Sequence, residues 1–239
     1  MIHKDQDPMG QAIYNFHHHG DDTPVTVNTN ITEGDELPVP YLFRTFDEMP
    51  LLEKKAMNMV KGNVLDVGAG AGAHSLYLQN KGFQVTSMDI SELSCNVMSD
   101  LGLKNVICND IWTFESEPFE TVLFMMNGIG LVKNIDGLEP FFEHLKKYVK
   151  IGGQVILDSS DIKYMFEDDE GGFWIDLNKN YYGELEYKLA YKEMQAEPFP
   201  WLFVDFEKLR DAAIKVGWKV ELIYEDDHFH YLCRLSLNV

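Results

Sequence analysis

The sequence predicts an α/β protein: a doubly wound, mostly parallel seven-stranded sheet with an antiparallel C-terminal hairpin and an N-terminal helical cap. Three observations predict it. Short apolar runs alternate with helix signatures from Val64 to Leu157. Some of those runs, such as Val122–Met126, are apolar at consecutive positions rather than at every second residue, the mark of strands covered on both faces. Two last strand patterns, residues 218–224 and 231–237, face each other across a tight acidic turn, which reads as a hairpin.

The elements follow in order. Asp7 caps a first helix, Pro8 suits its first position and Gly20 ends it, with Met9, Ile13 and Phe16 at helical spacing. Residues 21–36 are polar apart from an alternating Val25-Thr26-Val27. Pro38 and Pro40 interrupt the chain before Tyr41-Leu42-Phe43-Arg44. A second helix starts near Asp47, with Pro50 in its first turn, and stops at Gly62. The alternating middle then gives strands at 64–67, 83–88, 105–108, 121–126 and 154–157. Helices at 71–80, from the Ser91 cap to Leu101, and from the Asp136 cap through Val149 to Gly152-Gly153 fill the gaps. Residues 183–191 alternate cleanly, with Leu185, Tyr187, Leu189 and Tyr191 on one side, as a half-exposed antiparallel strand does. Asp205 caps a last helix to Val216. The chain thus divides into a cap or lid, 1–46, and a main domain, 47–239, with a substrate-side insertion at 161–200.

Composition narrows the function. The 239 residues carry 20 Lys and Arg against 39 Asp and Glu, a net charge of −19. Such a chain repels phosphate backbones, so neither nucleic acid nor an anionic membrane is expected as a partner. The apolar run from Val122 to Met126 falls far short of the ~20 residues of a membrane span. The first seven residues have no signal-type apolar stretch. Cys95, Cys108 and Cys233 are odd in number and widely spaced, which suits neither a disulfide framework nor a metal knuckle. A reduced, cytoplasmic protein is expected.

The most informative stretch is Val64-Leu65-Asp66-Val67-Gly68-Ala69-Gly70-Ala71-Gly72-Ala73-His74. A strand enters a glycine-rich turn that opens a helix. Glycines let backbone approach a ligand closely, and the helix start offers unpaired N–H groups. Asp89, 21 positions after Gly68, ends the next strand, where a carboxylate can accept both hydroxyls of a ribose. Gly68-x-Gly70-x-x-Ala73 satisfies a dinucleotide fingerprint, and Gly68-x-Gly70-x-Gly72 another. Asp66 inside the strand separates the two: a pyrophosphate would not welcome it, and an amino group would. Asn109-Asp110-Ile111, after the third strand, can hydrogen-bond the exocyclic amine of an adenine. The sixty or so residues before the fingerprint also sit poorly with a simple dinucleotide-binding domain.

This pattern resembles the class I S-adenosylmethionine-dependent methyltransferases, over most of the chain from about Val64 onward. Val64 to Ala73 match that family's first motif, Asp89 its ribose-binding acid and Asp110 its adenine-binding acid. Residues 121–128 match the strand leading to the substrate, and the final hairpin its reversed seventh strand. The resemblance implies a Rossmann-like methyltransferase domain with S-adenosylmethionine as cofactor. Asp66, Gly68, Ala69, Gly70, His74, Asp89, Ile90, Asn109, Asp110, Ile111 and Asn127 would surround it. It implies direct displacement at a sulfonium methyl, where the enzyme mainly positions the partners. A base is needed only if the acceptor arrives protonated.

Residues outside the motif add candidates. Asn127-Gly128-Ile129-Gly130 follows the fourth strand at the carboxyl edge, so Asn127 is expected to line the transfer site. Enzymes that methylate amide or adenine nitrogens carry Asn/Asp-Pro-Pro-aromatic there, so that activity is disfavoured. Three consecutive histidines, His17 to His19, point about 100° apart on a helix and are not expected to share a metal. The open readings are a wet helix end, or His18 reaching the pocket as donor or base with Tyr14 on the same face. Arg44 is one of two bases among nine acids in the first fifty residues. It suits the cofactor carboxylate, or a surface pair with Asp47 or Glu48. The Glu167–Glu170 run reads as a solvated turn, and Phe173 and Trp174 as core or cage. The expected function is methyl transfer to a small-molecule acceptor. A nicotinamide-dependent (NAD(P)) oxidoreductase and a non-catalytic cofactor-binding module are the alternatives.

Overall fold

A computed structural model describes residues 2–168, 172 and 180–237. Its elements run α1 (Pro8–His19), β1 (Val25–Thr29), β2 (Asp35–Leu37), α2 (Leu51–Met59), β3 (Val64–Val67), α3 (Ala73–Asn80), β4 (Val85–Asp89), α4 (Glu92–Asp100), β5 (Val106–Cys108), β6 (Phe119–Phe124), α5 (Leu138–Leu145), β7 (Val149–Ser160), β8 (Glu184–Tyr191), β9 (Met194–Gln195), β10 (Phe199–Leu202), α6 (Phe206–Lys215), β11 (Trp218–Glu225) and β12 (His230–Leu237). Asp169, Glu170, Phe173 and Trp174 lie outside the described residues.

The main sheet has seven strands in the order β11-β12-β7-β6-β3-β4-β5. The pairs from β5 to β7 are parallel, and β12 enters antiparallel between β7 and β11. Alternation along β6 shows how both faces are covered. Val122 and Phe124 join Phe141, Phe142 and Leu209 of α5 and α6, while Leu123 joins Leu52, Ala56 and Leu78 of α2 and α3. That two-sided burial is why β6 reads as an unbroken apolar run from Val122.

One expected element changes character. Val149 and the Gly152-Gly153 pair read as the end of a helix. In the structure α5 ends at Leu145 and Val149 begins β7. Phe119 pairs with Val149 and Thr121 with Gln154, so the glycines form an irregularity inside a twelve-residue strand. Gly152, at φ 76°, adopts the left-handed conformation that such a bulge favours.

A second, antiparallel sheet has the order β10-β8-β1-β2, with β9 on β8. Front segment and insertion therefore share one layer. Thr26 lies opposite Ala190, and Thr29 opposite Tyr187.

Helix α1 forms as its caps predict: the Asp7 side chain accepts from Gly10 N, and Gly20 closes the helix at φ 67°. It is docked rather than free. Ala12 packs with Val25, Val39 and Tyr191, and Ile13 with Ala71 and Val97, both fully buried. Undocking would expose Ile13 at about 1.5–3 kcal/mol. The seam with α4 is also polar at its start, where Ser91 Oγ donates to Asp7 Oδ2 at 2.5 Å.

Candidate functional site

The site assembles where β3, β4, β5 and β6 end, at the carboxyl edge of the sheet. Gly68 and Ala69 both donate their N–H groups to Met88 O, at 2.9 Å each. This draws the turn after β3 against the end of β4. Gly68 and Gly70 have φ of 71° and 58°, and a Cβ added at either meets nothing within 4 Å. The two positions thus combine a backbone that excludes side chains with open space for a ligand. Gly72 differs: its Cβ would come 2.7 Å from Leu103 Cδ1, so it serves close packing against the end of α4.

Asp89 stands beside this turn. Its Oδ2 accepts from Gly70 N and its Oδ1 from Ser91 N, each at 2.9 Å. Burial pushes its carboxyl up to about 6, against those backbone N–H groups that favour the charge. It remains ionised at neutral pH with lone pairs to spare for hydroxyl donors. Ile90 follows, 39% exposed, at the open rim. Asn109 N donates to Asp89 O at 3.0 Å, which places Asn109-Asp110 beside it. Asn109 Oδ1 accepts from Asp110 N, and Asp110 Oδ1 from Trp112 N. Ile111 is corrected in one respect. Its side chain sits in the core with Phe114, and its carbonyl accepts the Tyr148 hydroxyl at 2.7 Å. Its backbone N–H is what it has left to offer a ligand.

Asp66 lies on the α3 face of β3, where its Oδ2 accepts from Ser75 Oγ at 2.7 Å. Burial raises its pKa, with the charge of His74 and the Ser75 bonds opposing.

His74 and Arg44 meet on a residue that sequence reasoning missed. Glu53 of α2 is 5% exposed, and its Oε2 accepts from Arg44 Nη2 at 2.6 Å and Nε at 3.0 Å. The same oxygen lies 2.8 Å from His74 Nε2. Arg44 also donates to Tyr41 O at 2.7 Å and lies over the Tyr41 ring at 4.2 Å. Burial opposes the charge on Glu53, but His74 and Arg44 outweigh it and hold its carboxyl below the usual range. Arg44 therefore pairs with neither Asp47 nor Glu48: Glu53 takes two of its five N–H groups and Tyr41 O a third.

Asn127 reaches the edge as expected, but with a bracing task. Met126 and Asn127 are both left-handed, at φ 59° and 57°. That geometry is costly outside glycine and Asn. Three bonds hold Asn127: its N–H donates to Asp158 Oδ2, its Nδ2 to Leu202 O, and its Oδ1 accepts from Ser159 Oγ. It positions Asp158 and ties β6 to β7 and β10.

Asp158 and Ser160 are the second set that sequence reasoning missed. On β7 they share the face of Ile156, which packs toward α2. Among the described residues, Asp158 Oδ1 and Ser160 Oγ are the buried side-chain atoms without a hydrogen-bond partner. Burial pushes Asp158 up to about 7, helped by the charge of Glu53 and opposed by Asn127 N–H and His74. A signal did exist. Val155-Ile156-Leu157-Asp158 is an apolar run closed by an acid, and Asp89 likewise ends a strand.

His18 is not in this site. Its Nε2 lies 3.4 Å from Asp100 Oδ2, at the end of α4. Asp89 precedes the start of that nine-residue helix, so about 13 Å of helix separates the two places. The reason is the direction of α1, which follows α4 from Ser91 to Asp100. The Tyr14 ring lies tilted against that of His18, with centroids 4.2 Å apart, and packs against the Ile13, Ala71 and Val97 cluster. Neither His18 nor Tyr14 meets Asp158 or Asn127.

A family model for tellurite resistance protein TehB matches residues 45–127. No curated protein matches the chain. A solved S-adenosylmethionine-dependent methyltransferase from Bacteroides fragilis, in complex with S-adenosyl-L-homocysteine, is 38% identical. The match covers 100% of this chain and 98% of that one, at a TM-score of 0.93. A similar enzyme from Clostridium acetobutylicum ATCC 824 is 15% identical over 78% of this chain and 88% of that one, at a TM-score of 0.56. The CcbJ methyltransferase from Streptomyces caelestis is 11% identical over 80% and 98%, at a TM-score of 0.57. These last two share the fold.

Proposed function

The chain belongs to the class I S-adenosylmethionine-dependent methyltransferases, and from that premise we propose that it methylates a small molecule through a nitrogen or oxygen that arrives protonated. The nicotinamide-dependent oxidoreductase and the non-catalytic module are thereby set aside. S-adenosylmethionine, when bound, supplies a methyl group already activated on a sulfonium.

The residues present fit that cofactor. Gly68 and Gly70 leave a cradle that a Cβ would fill, and Asp89 offers carboxylate oxygens beside it. Asn109 and Asp110 supply the adenine side, with Ile90 at the rim. Asp66 offers a carboxyl group suited to the amino group. Arg44, paired with Glu53, is left out of that set.

The observation that carries the acceptor assignment is Asp158, whose Oδ1 is buried and unpartnered at the carboxyl edge. Asp158 takes the proton that leaves the acceptor's nitrogen or oxygen, its proton affinity being matched to neutral pH. Asn127 holds the other carboxylate oxygen, and Ser160 Oγ offers a second polar contact on the same face. The buried Glu53 and His74 act on Asp158 through their charges, in opposite directions.

A small acceptor also suits the charge of −19, which repels phosphate backbones. No described helix is long and apolar enough to cross a membrane. The three cysteines are free, as a reducing cytoplasmic setting would keep them. Methyl-labelled S-adenosylmethionine incubated with the enzyme and a whole-cell extract tests the reading. Label is expected in the fraction that passes a dialysis membrane. Label confined to retained protein or nucleic acid would overturn it.

A further inference from the structure

We propose that His17, His18 and Asp100 form a binding site for a divalent transition metal of the zinc class, bridging the ends of α1 and α4. His17 Nε2 lies 3.9 Å and His18 Nε2 3.4 Å from Asp100 Oδ2, and the three ligand atoms fall within 4.8 Å of one another. Tetrahedral zinc, with bonds of about 2.0–2.1 Å, sets its ligand atoms roughly 3.4 Å apart. The His18–Asp100 pair already has that spacing. The His17 contact reaches it by a small side-chain rotation.

Consecutive positions on one helix diverge by about 100°, which argues against a site built from the histidines alone. The third ligand comes from the neighbouring helix and resolves this. Both imidazoles lean toward Asp100, with their ring centroids 4.6 Å apart. The Tyr14 ring, 4.2 Å from that of His18, supports its orientation. The histidine side chains are 23% and 31% exposed, so a metal has access and water can complete its coordination. The net charge of −19 favours cations at the surface generally.

The location gives the site a consequence. α1 and α4 meet at their starts through Asp7 and Ser91, beside Asp89. A metal at their ends would clasp the other end of the same seam.

Calorimetry of zinc(II) into the full chain, prepared without a histidine tag, is the test. One zinc(II) per chain is expected, with affinity falling about tenfold or more in both His18→Ala and Asp100→Ala. His19→Ala and His230→Ala should leave it unchanged. Circular dichroism and S-adenosylhomocysteine binding confirm that each variant is folded. No binding below about 100 μM, or binding retained in either His18→Ala or Asp100→Ala, would overturn the assignment.

Discussion

Asp158→Asn is expected to lower kcat/KM by about 10²–10⁴, the usual worth of a positioned proton acceptor. The amide keeps the shape and cannot take a proton. Wild-type turnover should rise with pH through about 7 and level off above it. The variant should be slow and lack that rise. Its fold should survive. An acid whose native pKa is raised contributes stability below the ordinary carboxylate range and loses it as pH rises through about 7. Near neutrality a neutral amide therefore removes a cost rather than a support. The charged groups that bear on Asp158 are Glu53 and His74, with Tyr41 beside them, while Tyr231 and Cys233 of β12 lie on the opposite face of the sheet. Unchanged turnover with an unchanged pH profile would assign proton removal elsewhere.

Glu53→Ala is expected to cost about 3–5 kcal/mol of stability, the range for breaking a buried ion pair from one side. Arg44 would keep Tyr41 O and the Tyr41 ring but lose both bonds to the carboxylate, while only 5% exposed. His74, 6% exposed, would lose its partner as well. At this chain length the loss corresponds to a melting temperature lower by about 6–20 °C. The pH dependence has the opposite sign to that of Asp158. The Glu53 carboxyl is held low, so its contribution is present above the ordinary carboxylate range and is lost as pH falls toward its native value. Urea unfolding of both proteins measures the difference, and a loss under about 1 kcal/mol would mean that Arg44 and His74 relax to water.

What the sequence disclosed and what it hid follow from the range of each interaction. The Gly68–Gly70 turn was legible because its demand is local: a positive φ at both glycines, which side-chain-bearing residues rarely adopt. Asp7, Pro8 and Gly20 marked α1 for the same reason, since caps are set by near neighbours. The apolar face of α1, with Met9, Ile13 and Phe16, was legible too, but what it packs against was not. Asp100 decides where His18 points, and it lies in another helix. Arg44 was misread for a similar cause, as its partner Glu53 sits in α2 rather than beside it. Gly152 and Gly153 suit a helix stop and a strand bulge equally, and only pairing with β6 chooses between them. The small sheet joins Val27 to Leu189, and nothing near either residue announces it.

The most direct test of the account is a calorimetric titration of the purified chain with S-adenosylhomocysteine and, separately, with NAD. One S-adenosylhomocysteine per chain is expected, with a melting temperature that rises with its concentration by mass action and no heat from NAD. Binding of NAD without binding of S-adenosylhomocysteine would contradict it.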